Sequence, residues 1–115
     1  MKNWRDFLLS SDATIHDAIV VLEKNQCSVI VDADDHILGI VTDRDIRKAL
    51  LKQVSLDSSI CDVMNKSPTT LSFPLEAAEI RQKLGKKSFE QFPVVDSNQK
   101  VVGLHTNKEL QQVKF

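Results

Sequence analysis

Apolar residues recur along this chain with two different periods. Ile15, Ala18, Ile19 and Leu22 stand three or four apart, the spacing of one helix face. Thr14 before them is a good N-cap, because its hydroxyl can accept from a free amide of the first turn. Asp17, three residues on, suits the positive end of the helix dipole. The pattern predicts a helix running to about Lys24-Asn25-Gln26. Residues 27–31 are rich in β-branched side chains and predict a buried strand. Asp32-Ala33-Asp34-Asp35-His36 reads as a turn, and 37–41 as the returning strand, interrupted by Gly39. Thr42-Asp43-Arg44-Asp45 opens a second helix that carries Ile46, Ala49, Leu50 and Val54. Trp4, Phe7, Leu8 and Leu9 form a short amphipathic lead-in.

The same order returns in the second half. Residues 55–66 connect the halves, with Ile60, Val63 and Met64 on one side of a short helical turn. A short strand is predicted at Thr70-Leu71. Pro74 suits a helix start, where its missing N–H does no harm; Ala77, Ile80 and Leu84 mark the core face, and Gly85 the stop. Strands follow at 92–95 and 101–105 around Ser97-Asn98-Gln99-Lys100, with a last helix over 106–113. Gly39-Ile40-Val41-Thr42-Asp43-Arg44-Asp45 is echoed by Gly103-Leu104-His105-Thr106-Asn107-Lys108-Glu109. Val29-Ile30-Val31-Asp32 is echoed by Pro93-Val94-Val95-Asp96. An internal repeat of this kind decides the fold: α+β, two βαββα-like units, 1–58 with the lead-in and 59–115. Each half alone would bury too little surface to be stable, so the two are expected to pack as one module. Lys86 to Gln91 is longer than its counterpart, and the register drifts there.

Composition narrows the function. The 115 residues are 42% hydrophobic and 27% charged, with 15 basic and 16 acidic residues and a formal net charge of -1. That is ordinary for a globular protein and gives no electrostatic footprint for nucleic acid or an anionic membrane. The longest apolar runs are far too short to span a bilayer, and the N-terminus lacks a signal-peptide core; a cytoplasmic location is expected. Cys27 and Cys61 show no C-x-x-C spacing, and His16, His36 and His105 cluster neither with them nor with each other, so no metal site is expected. Asp32-Ala33-Asp34-Asp35 reads as a solvated hairpin turn rather than a divalent-ion loop. There is no Ser/His/Asp set, no Cys beside a His and no P-loop, and three glycines are too few for a phosphate cradle. The chain reads as a binding module, not an enzyme, with no required cofactor.

Thr14 through Ile19, Ser28 through Asp32 and Gly39 through Asp45, followed by Val63-Met64-Asn65 to Pro68, Phe92 through Asp96 and Gly103-Leu104, resemble a tandem pair of cystathionine-β-synthase-type (CBS) domains. Each motif is weak alone; in series, in order and twice, they are specific. The resemblance implies pseudo-two-fold packing of the repeats, two clefts, an adenine nucleotide (AMP, ADP, ATP) or S-adenosylmethionine as regulatory ligand, and a homodimer. Asn3-Trp4-Arg5 with Leu8-Leu9 and Thr14-Ile15 looks like the N-terminal CBS pair of some sugar-phosphate nucleotidyltransferases, which implies a catalytic domain after Phe115.

A nucleoside ligand sets its own requirements. A carboxylate can accept both ribose hydroxyls; phosphates want helix N-terminal amides, hydroxyls and cations; adenine wants an apolar slot. Asp45 is the candidate for ribose, Thr42 for ribose or phosphate, and Arg44 for phosphate. By the resemblance, Thr69, Thr70, Phe92 and Pro93 would close the same cleft. A second, weaker site would use Thr106 and Glu109, whose longer carboxylate replaces that of Asp45, with Leu9, Ser10 and Val29 opposite. Thr42 and Thr106 are equally explained as helix caps, and Gly39 and Gly103 as backbone devices. The competing function is a ligand-free scaffold that dimerises through Ile46, Ala49, Leu50 and Leu51, more apolar residues than one short helix needs for its own core.

Overall fold

The computed structural model describes residues 4–84 and 91–106. The chain divides into two units, Met1–Pro68 and Thr69–Phe115.

In the first unit a 3-10 turn, Trp4–Phe7, leads into strand β1, Leu8–Ser10, then helix α1, Ile15–Leu22, strands β2, Cys27–Val31, and β3, Ile37–Thr42, and helix α2, Asp43–Leu51. The sheet order is β1-β2-β3, with β1 parallel and β3 antiparallel to β2. β1 is the first strand of the expected βαββα plan; it falls in the amphipathic lead-in, where three residues carry too little periodicity to mark a strand. All five residues of β2 are buried, as an unbroken β-branched run requires of a central strand. Its one polar side chain, Ser28, is satisfied by donating to the Phe7 carbonyl oxygen at 3.3 Å. Ile15, Ala18 and Leu22 of α1 and Ile46 and Ala49 of α2 enclose a core with Ile30, Val41 and Ile60. Half of the apolar surplus of α2 therefore goes to this core; Leu50 and Leu51 stay exposed.

The second unit repeats the plan. Strand β4, Leu71–Ser72, helix α3, Ala77–Leu84, and strands β5, Gln91–Val95, and β6, Val101–Thr106, form a sheet of order β4-β5-β6 with the same parallel and antiparallel senses. Gly39 pairs with Ile30 and Gly103 with Val94, and in both hairpins the register slips one residue later, so the bulge is duplicated with the sequence. Asp32 Oδ1 accepts from the amides of Asp34 and His36, and Asp96 Oδ1 from those of Asn98 and Lys100. These aspartates build the same turn twice. α3 begins at Ala77 rather than Pro74: Phe73, Pro74 and Leu75 are an exposed, non-helical lead. Pro93 is tolerated in a central strand because β4 pairs only Leu71 and Ser72, with Val94 and Val95. The expected stop at Gly85 and the last helix over 106–113 lie outside the described residues.

The connector belongs physically to the first unit. Ile60 is fully buried there, its amide donates to the Ala13 carbonyl at 2.9 Å, and Ser59 forms an antiparallel bridge with Thr14. A short 3-10 turn, Ile60–Asp62, carries it, close to the helical turn expected from Ile60, Val63 and Met64.

Candidate functional site

The junction of β3 and α2 carries the candidate chemistry. Thr42 ends β3 in extended conformation (φ -123°, ψ 173°) and caps α2. Asp45, in the first turn, folds back so that its Oδ2 accepts from the Thr42 amide at 2.9 Å and from the Thr42 hydroxyl at 3.1 Å. Both groups are half-buried. Thr14 and Asp17 form the corresponding capping box at α1, where the Thr14 amide donates to Asp17 Oδ2 at 2.9 Å and the Asp17 amide to Thr14 Oγ1 at 3.2 Å. The Thr42 corner adds a hydroxyl–carboxylate bond that the Thr14 box lacks. It spends one oxygen of Asp45 on both bonds, and Oδ1 has no partner among the described residues. A carboxylate with one oxygen anchored and the other open suits a vicinal diol. Arg44 is exposed and makes no ion pair or hydrogen bond among the described residues, so its guanidinium is available to an anion at the positive end of α2.

The residues proposed opposite lie in the second unit. Thr69 is exposed and Thr70 half-buried, Pro93 is fully buried, and Phe92 is buried in a core with Leu71, Ile80 and Val94. Thr106 is the last residue of β6; Glu109 lies outside the described residues.

A polar set in this unit escaped the sequence reading. Glu79 accepts from the Ser72 amide at 2.9 Å and the Ser72 hydroxyl at 3.0 Å, while Lys83 Nζ sits 3.1 Å from Glu79 and donates to the Thr70 carbonyl at 2.9 Å. The Ser72 amide above all, then Lys83, holds the Glu79 carboxyl below its ordinary range. The signal was present as an i,i+4 Glu–Lys pair, but only the fold brings it to the end of β4.

Asp32, Asp34 and His36 place one ligand atom each within 4.8 Å of one another. Asp32 is already committed to the hairpin: its Oδ2 lies 3.1 Å from His36 Nδ1, and the His36 amide is the main cause that keeps its carboxyl below the ordinary range. Neither cysteine joins this cluster; Cys27 is buried and Cys61 half-buried, both as thiols outside any disulfide. No helix among the described residues is long and apolar enough to cross a membrane.

A shallow groove of about 400 Å³ runs between α1 and α2, walled by Ile19, Leu22, Ile46 and Leu50 with Glu23 and Asp43 at its acidic end. Val20 also lines it; Val20, Leu50 and the following Leu51 are exposed by 55%, 48% and 83%.

Comparison with known proteins follows the duplication. The family model of the CBS domain matches twice, over residues 4–52 and 60–110. Inosine-5'-monophosphate dehydrogenase of Nitrosopumilus maritimus is 32% identical over 106 residues, 90% of this chain and 21% of that protein. Arabinose 5-phosphate isomerase GutQ of Escherichia coli K12 is 29% identical over 93 residues, 79% of this chain and 29% of that protein. The chain thus spans less than a third of the length of these relatives. Among solved structures, the CBS domain pair of protein MJ0100, in complex with 5-methylthioadenosine and S-adenosyl-L-methionine, is 27% identical with a TM-score of 0.77, covering 93% of this chain and 86% of that one. Staphylococcus aureus OpuCA, 23% identical with a TM-score of 0.77 and coverage of 93% and 90%, shares the fold.

Proposed function

The chain belongs to the CBS domain family, carrying the domain twice in tandem, and from that premise we propose that it is a regulatory module that senses an adenine nucleotide or S-adenosylmethionine and modulates an enzyme attached to it or partnered with it. The observation that carries this reading is the Thr42–Asp45 corner, where, among the described residues, a carboxylate keeps one oxygen open at a helix N-terminus beside an Arg44 without an ion-pair partner. The ligands bound by the MJ0100 pair support the ligand class. The reading assigns ribose to Asp45, ribose or phosphate to Thr42 and phosphate to Arg44, with Thr69, Thr70, Phe92 and Pro93 contributed by the second repeat. Thr106 and Glu109 form the weaker site.

The module has no catalysis of its own and works in the cytoplasm. Its enzyme is one that handles nucleotides or sugar phosphates: the N-terminal Asn3-Trp4-Arg5 resemblance favours a sugar-phosphate nucleotidyltransferase following Phe115, and two relatives are a nucleotide dehydrogenase and a sugar-phosphate isomerase. Regulation requires that the ligand bind two states with different affinity. Calorimetric titration with AMP, ADP, ATP and S-adenosylmethionine tests the reading. Heat is expected with at least one of them, lost in Asp45→Ala and kept in Glu109→Ala. Absence of heat with all four overturns it.

The groove between α1 and α2 favours a second reading, a scaffold that dimerises through the first repeat. The two are compatible, since the groove is lined by Asp43 and Ile46 but by neither Thr42 nor Asp45.

A further inference from the structure

We infer that the connector between the repeats is a docked edge segment of the first unit, seated by Gly39, and that it is mechanically linked through β3 to the Thr42–Asp45 corner; its value as a ligand relay rests on the function proposed above.

Asn65 bonds to Ile40 in both directions, donating at 2.8 Å and accepting at 3.0 Å, so the connector pairs with the outer edge of β3. The preceding Met64 lies on Gly39. A Cβ at position 39 would sit 2.7 Å from Met64 Sδ, 2.9 Å from Met64 Cγ and 2.8 Å from the Asn65 carbonyl oxygen. The thioether can swing aside, but that carbonyl is held by the Ile40 amide, so any side chain at 39 must lift the connector from β3. Gly103 occupies the matching place in the second repeat, and among the described residues it meets nothing closer than Val94 Cβ at 4.0 Å. Among the described residues, then, a close approach to this glycine is made in the first copy and not in the second.

The seat and the candidate site share a strand. Ile40 and Thr42 are two residues apart on β3 and face the same way. The Asp45 carboxylate holds the Thr42 amide, and the connector holds Ile40. Beyond the seat, the Asn65 side chain accepts from the Ser67 amide at 3.0 Å and turns the chain just before the second unit starts at Thr69. A force on Thr42 therefore acts on the strand to which the connector is pinned.

Amide exchange on the whole chain without nucleotide tests this. Gly39→Ala should speed exchange across 60–67 by about tenfold or more, while β2 and α1 keep their protection. Gly103→Ala should leave 60–67 unchanged. Should Gly39→Ala fail to fold, Asn65→Pro removes one bond of the pair at an exposed position and should give the same local loss. Protection of 60–67 that survives both variants, or falls equally in Gly103→Ala, overturns the docked connector. Asp45→Ala should also speed exchange at Asn65; an unchanged rate there overturns the link to the corner. These results are independent of calorimetry, so a module that binds no nucleotide would fail the functional reading and leave the relay to stand or fall alone.

Discussion

A thiol at Cys27 and a thiol at Cys61 have the same chemistry and different fates. Cys27 is walled into the central strand, and burial pushes its pKa up to about 12, so at neutral pH it stays protonated and inert. Cys61 is half-buried, its thiol directed at the Ser11 carbonyl at 3.5 Å. One thiol should react with a disulfide reagent in the native chain and two in denaturant; mass mapping should place the first label on Cys61. Label on native Cys27 would contradict the buried strand. The burial of Cys27 was legible because a β-branched run surrounds it. The difference between Gly39 and Gly103 was not: both precede a strand end and both stand beside a bulge, and among the described residues it is the connector crossing Gly39 that separates them. The Thr42–Asp45 corner was half legible. The sequence offered Thr42 as a helix cap and Asp45 as an acid in the first turn, but the hydroxyl-to-carboxylate bond between them is a matter of rotamers.

At the scale of elements, caps and turns decide where helices and strands begin. β1 and β4 pair in the same register, Leu9 with Ile30 and Leu71 with Val94, so Ser10 corresponds to Ser72 and Ile15 to Ala77. The start of α3 at Ala77 follows from that correspondence, whereas Pro74 alone points three residues too early. Strands 27–31 and 37–41 were legible from composition to within a residue, because side-chain burial enforces them. The three-residue β1 needed its partner strand to exist first. Thr14→Ala removes one half of the α1 capping box and should cost about 1 kcal/mol in chemical denaturation. Asp17, Asp32 and Glu79 all have carboxyls held below their ordinary values, chiefly by the Thr14, His36 and Ser72 amides. Each binds protons more weakly folded than unfolded. Their stabilisation is complete above the ordinary carboxylate range and fades as pH falls through the folded values. The melting temperature should therefore hold near neutrality and drop below about pH 4. A melting temperature that rises on acidification would show these bonds to be unimportant.

At the scale of the molecule, the duplicated strand–turn–strand signature made the two-unit plan readable before any contact was known, while the docking of the connector was not readable, because Ile60 looks like any apolar connector residue until it is found in the first core. Ile60→Ala should accordingly cost roughly 2–5 kcal/mol, a core penalty rather than a loop penalty. The outer helix faces of the described residues are unequal. The described side chains of α3 expose no large apolar residue, whereas α1 and α2, beside exposed charged residues such as Asp17, Arg47 and Lys48, expose Val20, Leu50 and Leu51. The scaffold reading therefore places its seam on the first unit. Its acidic end, Glu23 and Asp43, suits a two-fold arrangement that sets it against the opposite helix ends, where His16 and Lys52 are exposed. Light scattering should give a dimer for the unaltered chain at tens of micromolar and a monomer for Leu50→Glu, with the melting profile of the first core retained because Leu50 lies outside it. A monomer in both would leave the groove as ordinary surface and remove the scaffold reading, while calorimetry on that monomer would still decide whether the Thr42–Asp45 corner binds a nucleoside.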